Sequence, residues 1–380
     1  GNRLEFRNIG PAIMGGRATD IEGVPGQPGL LYAATGSGGL WKTTNGGVSW
    51  KALFEREKVY SIGDIALDPK NPSVVWLGSG ESNVRNSVSF GGGVYLSTNG
   101  GETWQLKGLE NTERISRVVV SPLDSRKVYV GALGHAFGPN ENRGVYVTTD
   151  GGASWQKTLY LDAQHGVSDL DIDPQNPNIL YAALWKFERK PWTHTSGSEQ
   201  GGVWKSIDGG LTWTKLTKGL PKLIGRIGVK VAPSKPNVVY VICESNEGIL
   251  YRSDDHGETF TAVHKNRAIV GRGFYYADLR VDPVDENRVY ALSSNLHLSI
   301  DGGKTFRIIS RRTHLDFHSL WIDPLDPRRM WQGQDGGFAV SYDRGDTWEY
   351  VNNIPLAQFY QLHADNRLPF YYVMGGLQDN

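Results

Sequence analysis

The stretch His314-Leu315-Asp316-Phe317-His318 sets two imidazoles and a carboxylate at alternating positions. In an extended strand, residues i, i+2 and i+4 point to one side. The spacing therefore predicts His314, Asp316 and His318 on one face, a set that can ligate a divalent transition metal or run proton transfer. The plainer reading is two surface histidines and a capping acid. Downstream, Gln334-Asp335-Gly336-Gly337 and Gln378-Asp379-Asn380 place acids after short apolar runs, and Glu81 lies in Gly80-Glu81-Ser82-Asn83-Val84-Arg85. Asp335 or Asp379 with Glu81 or Asp316 would supply the two carboxyl groups that glycoside hydrolysis uses. That pairing is assigned from position alone, and Asp before Gly is also ordinary turn chemistry.

These residues must be positioned by a repeat. An eight-residue pattern occurs seven times: Ser/Thr, any, Asn/Asp, any, Gly, any, Ser/Thr, Trp/Phe, starting at 43, 97, 148, 206, 253, 299 and 341. The Asn or Asp can accept backbone hydrogen bonds of its own turn, the Gly permits positive φ, and the aromatic anchors a new strand. These acids read as structural. A recurrence near 45 to 50 residues, built from short strands, is the signature of propeller blades. The fold expected is all-β, a propeller of four-stranded blades. First strands begin near Ala18, Ser61, Ile115, Val167, Ile227, Tyr276, His318 and Tyr360. One propeller spans 1–380, with seven complete repeats and the start of an eighth. The last blade, 359–380, would be completed by Leu4-Glu5-Phe6-Arg7 or, as favoured here, by a continuing chain.

In such a blade the loop entering the first strand and the loop leaving the second share one face. The repeated turn lies on the opposite face. The first of these faces should therefore carry function, with Arg17, Glu81, Asn83, Arg85, Arg114, His135, His165 and Arg226 around it. Arg17, Arg85, His135 and Gln378 are the ligand-binding candidates of this ring. Three long adjacent loops, Ser79 to Gly93, Ala132 to Gly144 and Leu184 to Gly202, would wall a cleft. Trp185 and Trp192 in the third would stack on sugar rings or grip peptide side chains; the alternative is a loop packed on its own aromatics.

Composition excludes other classes. With 40 basic and 40 acidic residues the formal net charge is +0, against nucleic-acid or membrane-surface binding by bulk charge. No apolar run reaches membrane-spanning length. The single cysteine, Cys243, sits in an apolar strand and reads as a buried thiol. The chain starts at Gly1 without Met, as a processed, exported protein would. A phosphate-binding Gly-rich loop, a nucleophile elbow and a cysteine metal cluster are missing. A Ser/His/Asp triad is a matter of geometry and stays open.

The repeated turns resemble the Asp-boxes (BNR repeats) of sialidases, sortilin-type VPS10 propellers and xyloglucan-active glycoside hydrolases. The whole chain resembles large bacterial exported proteins with sortilin-like repeats, often labelled glycosyl hydrolase-like. Asn8-Ile9-Gly10-Pro11, Gly15-Gly16-Arg17, Ser37-Gly38-Gly39-Leu40-Trp41-Lys42, Asp335-Gly336-Gly337 and Gly375-Gly376-Leu377-Gln378-Asp379-Asn380 carry that likeness. The resemblance implies an exported protein, secreted, periplasmic or at the cell surface, that binds a glycan, a peptide or a protein partner. It departs from the hydrolases at Leu31-Tyr32-Ala33-Ala34-Thr35-Gly36, where their catalytic acid is replaced by Gly36. Three readings follow: a ligand-binding propeller, a glycoside hydrolase, and an assembly scaffold.

Overall fold

The computed structural model describes residues 15–85, 87–369 and 372–377. Among them are seven antiparallel sheets of consecutive strands: 18–52, 62–106, 115–159, 165–216, 227–264, 278–308 and 317–351. Each has four strands in meander order, and the fourth gains a fifth, Thr193–Ser196. The observed first strands start at Ala18, Ile62, Ile115, His165, Ile227, Asp278 and Phe317, within two residues of the expected positions.

Seven apolar clusters hold the sheets together, one at each junction between neighbouring blades. The cluster that joins Ala18, Ile21 and Leu31 of blade one to Trp321, Trp331 and Phe338 of blade seven closes the ring. The eighth predicted start, near Tyr360, belongs to a separate hairpin, Phe359–Ala364 with Val373–Leu377, whose strands pair only with each other among the described residues. Leu4 to Arg7, Gln378 and Asp379 lie outside the described residues.

The Ser/Thr and Asp/Asn side chains of the repeated turn bond within its own eight residues. In blade four, Ser206 Oγ accepts from Gly210 N at 2.9 Å and donates to Asp208 at 2.8 Å. Asp208 also accepts from Thr212 N and from its hydroxyl. These bonds hold the exposed Asp208 well below the usual carboxylate range. Gly152 shows why glycine is needed: its φ is +79°, and a Cβ would lie 3.0 Å from Trp76 of the preceding blade. The closing aromatic reaches across a blade boundary. Trp104 donates its Nε1–H to Leu53 O at 2.9 Å, Trp155 to Lys107 O at 2.7 Å, and Trp348 to Ile309 O at 3.0 Å. Trp50 of blade one donates to Asn353, beyond the last strand of blade seven. The turn therefore fixes both its hairpin and the adjacent blade.

First strands also turn charge toward the axis. Arg117 donates to Asp169 at 2.7 Å, Asp64 at 3.2 Å and Asp278, so one guanidinium ties blades two, three, four and six. Lys230 and Arg280 add bonds of 2.7 and 2.8 Å to Asp169 and Asp278. Carboxylates clip neighbouring backbones too: Asp20 accepts from Ile65 N, Asp64 from Val118 N and Asp169 from Val229 N. This cluster plugs the axis and separates its two ends.

Candidate functional site

Arg17 immediately precedes the first strand of blade one, and Glu81 follows the second strand of blade two. Their side chains meet at the axis: Arg17 Nε and Nη2 each donate to Glu81, the latter at 2.8 Å. Both side chains are completely buried. Burial works against the charge on Arg17, but Glu81 outweighs it and raises the Arg17 pKa. A Cβ at Gly36 would lie 3.1 Å from the Glu81 carboxyl and 3.2 Å from Arg17 Nε. The position where the resembling hydrolases carry an acid is thus filled by the neighbouring ion pair.

Asp335, just past the second strand of blade seven, is the second centre. It accepts from the Tyr275 hydroxyl at 2.8 Å and lies 2.7 Å from His318 Nε2. Arg85 Nη1 stands 3.5 Å from it. Burial, with Asp335 beside it, pushes the Tyr275 phenol well above its ordinary pKa, so it stays protonated and donates. Arg226 donates to Asn83 at 3.0 Å and to Tyr275 O at 2.9 Å, and lies 5.5 Å from the Trp185 ring centroid. Sequence reasoning missed Tyr275, although the position rule that selected Arg17 and Arg226 also covers a residue just before blade six.

The predicted metal triad is not assembled. Asp316 has φ +65°, and the strand begins only at Phe317, so the alternation breaks at the middle ligand. Asp316 turns to Tyr276 at 2.7 Å and to Arg272. His314 is half-buried, with Nδ1 3.0 Å from Leu315 O, while His318 turns inward to Asp335. Among the described residues no group of three His, Cys, Asp or Glu side chains could hold a metal ion.

The three long loops do pack side by side, around a small core of Val84, Leu133, Ala136, Trp185 and Phe187. Trp185 is therefore completely buried and stacks with Phe187 at 4.6 Å, which removes it as a ligand platform. The third loop is a hairpin arm: Leu180–Lys190 runs past its blade and returns as Thr193–Ser196. Trp192 stands at its tip, 80% exposed. Phe90 and Phe137 of the other two loops are also exposed. His135 is half-exposed, 3.4 Å from Glu113. Arg85, with a side chain 23% exposed, donates to the Tyr360 hydroxyl of the separate hairpin at 3.1 Å.

Blade four contains a Ser–His–Asp arrangement. His165 Nε2 lies 2.6 Å from Ser198 Oγ, and Nδ1 lies 2.8 Å from Asp162. Ser198 Oγ also accepts from Gly201 N at 2.9 Å, its own N–H is taken by Ile224 O, and the residue is buried. A nucleophile needs an accessible lone pair and nearby free N–H donors for the oxyanion. Here the geometry pins a turn.

Residues 92–248 match the family model described as "Sortilin, neurotensin receptor 3". The chain is 22% identical, over 90% of its length, to a probable oligoxyloglucan-reducing end-specific xyloglucanase of Neosartorya fischeri, of which it covers 46%. The GH74 xyloglucanase from Xanthomonas campestris superposes on 97% of the chain with a TM-score of 0.70, at 18% identity and over 59% of that structure. The chain is a Vps10-like β-propeller related to the xyloglucanases. This Vps10-like propeller spans less than half the length of the curated xyloglucanases that it matches. It also shares its fold with YCF48 in the structure of YCF48 bound to D1 peptide, with a TM-score of 0.57, 15% identity, and 90% and 98% of the two chains covered. No helix among the described residues of the Vps10-like propeller is long and apolar enough to cross a membrane.

Proposed function

We propose that this propeller binds a peptide or protein segment on the face centred on Arg85, and that it does not hydrolyse its ligand. One observation carries this reading. The two described carboxylates best placed for catalysis, Glu81 and Asp335, have side chains with no exposure and are held by Arg17, Tyr275, His318 and Arg85. A glycosidase acid or nucleophile must touch the glycosidic bond. What reaches solvent around them is a guanidinium and a set of aromatics: Arg85, Tyr360, Phe90, Phe137 and Trp192. Arginine and large aromatics are the side chains that dominate protein recognition. The peptide named with the YCF48 neighbour supports the same class of ligand. Kinship with enzymes that act on a polysaccharide found outside cells supports an exported protein.

The test is a peptide-array screen followed by titration of the best binder into wild type, Arg85→Ala and Trp192→Ala, beside a reducing-end assay on xyloglucan oligosaccharides. Saturable peptide binding, weakened about tenfold or more by each substitution, is expected from hot-spot energetics. Release of reducing ends by wild type, with no peptide bound, overturns the proposal in favour of the hydrolase reading.

A further inference from the structure

The opposite end of the axis holds a second, unassigned cavity of about 630 Å³, within the range of small-ligand sites. Its mouth is an apolar collar built where first strands turn into second strands: Val24 and Pro25 of blade one, Pro69 and Pro72 of blade two, Pro283 of blade six and Trp321 of blade seven. Its floor is charged. The basic groups there are already engaged, Arg117 by three carboxylates, Lys230 by Asp169 and Arg280 by Asp278. Two floor acids make no ion pair of their own among the described residues. Asp20 is only 3% exposed and accepts one backbone N–H, from Ile65. Glu22, half-buried, lines the cavity with no side-chain hydrogen bond or ion pair among the described residues. Burial raises the pKa of both, Asp20 and Asp64 raise that of Glu22 further, and Arg117 and Arg280 offset only part of this. An ammonium beside them would reverse that cost.

We infer that this cavity receives an organic cation on an aliphatic stem, the ammonium at Asp20 and Glu22 and the methylenes within the proline collar. Carboxylates that outnumber the cations beside them favour a further cation, because an under-compensated buried charge is costly. The collar selects a stem of methylenes over a hydrated ion, since apolar surface gains from covering CH₂ groups. The floor acids do not converge closely enough to hold a metal ion among the described residues. Two sources carry this chemistry: a free aliphatic diamine, and a lysine side chain presented by another protein.

The experiment is calorimetric titration of the whole chain with 1,5-diaminopentane, with Nα-acetyl-lysine methylamide, and with hexanoate as an anion of similar stem. Saturable binding of at least one amine, none of hexanoate, and a loss of about tenfold or more in Glu22→Gln are expected for removal of a buried charge partner. The exposed Glu55→Gln should bind as wild type. Because the Glu22 carboxylate makes no hydrogen bond or ion pair among the described residues, Glu22→Gln should keep the wild-type Tm; Asp171→Asn, another floor acid, gives a second reading of the same loss. Binding of the diamine alone assigns a free ligand, and of the lysine amide alone a partner's side chain. Failure of both amines to bind below about 10 mM, a range corresponding to only a few kcal/mol, overturns the inference. Equal binding of hexanoate, or unchanged affinity in Glu22→Gln, does the same.

Discussion

Replacing Arg117 by methionine removes the cation shared by Asp64, Asp169 and Asp278. Breaking a buried ion pair by deleting one partner costs about 3–5 kcal/mol. Three such losses would unfold the protein, but the structure limits the damage. Asp169 keeps Lys230 at 2.7 Å, and Asp278 keeps Arg280 at 2.8 Å. Among the described residues Asp64 alone is left without an ion-pair partner, with Val118 N as its remaining donor. One pair's worth, roughly 3–5 kcal/mol, is therefore expected. If the ring unfolds as one unit, an unfolding entropy of about 0.8 kcal/mol/K for this length makes that a Tm loss of ~5 °C. The penalty should depend on pH. In the wild type, burial raises the Asp278 pKa, but Arg280 and Arg117 outweigh it and depress it strongly. Its stabilising contribution is present above the unfolded carboxylate pKa of about 4 and lost only as pH falls below it. Burial and Asp20 raise the Asp64 pKa to about 8 even with Arg117 beside it. A raised carboxyl contributes stability that is full below about pH 4 and is lost as pH rises through its folded pKa. Without Arg117 that folded pKa moves higher still. The variant should therefore be most handicapped near pH 8.5 and recover toward pH 5.5. Calorimetric or circular-dichroism melts at both pH values read this, and Arg117→Met/Asp64→Asn should regain about half of the loss. A penalty under about 1 kcal/mol, far below a broken buried pair, would refute the reasoning. So would a penalty equal at both pH values, or one the double variant does not relieve.

The two tryptophans of the hairpin arm should separate in a melt. Trp185→Ala empties the loop core and exposes the face of Arg226, for about 3–5 kcal/mol; Trp192→Ala should stay within about 0.5 kcal/mol, and equal losses would contradict the burial assigned to them. Gly36→Asp sets a second carboxyl beside Glu81, so a loss of roughly 1–3 kcal/mol from overpacking is expected, with no xyloglucan cleavage in the reducing-end assay. A fully stable Gly36→Asp would show that the Arg17–Glu81 pair gives way. Asp208→Ala deletes an acceptor of Thr212 N and its hydroxyl, so the melt should fall by about 0.5–2 kcal/mol, as for a lost cap; an unchanged melt would mean that Ser206 suffices to hold the turn.

The sequence by itself determined the repeat. The side-chain bonds of the Asp-box from Ser206 to Asp208 to Thr212 close within eight residues, so spacing alone predicts them, and the period then predicts blades and the starts of their first strands. The residues before first strands and after second strands were also legible, which is why Arg17, Glu81, Arg85 and Asp335 were singled out and are found together. Only the tertiary structure decided what those groups are free to do. Ring closure at seven depends on Ala18 meeting Trp321 across nearly the whole chain. The left-handed backbone at Asp316 undid a strand alternation that spacing implied. Glu81 is held by an arginine 64 positions away, and Asp335 by a tyrosine 60 positions away. Trp185 and Trp192, seven residues apart in one loop, ended buried and exposed because only the first meets two neighbouring loops. Local hydrogen bonds follow from neighbours in the chain; burial and ion pairing at the axis follow from which blades converge there.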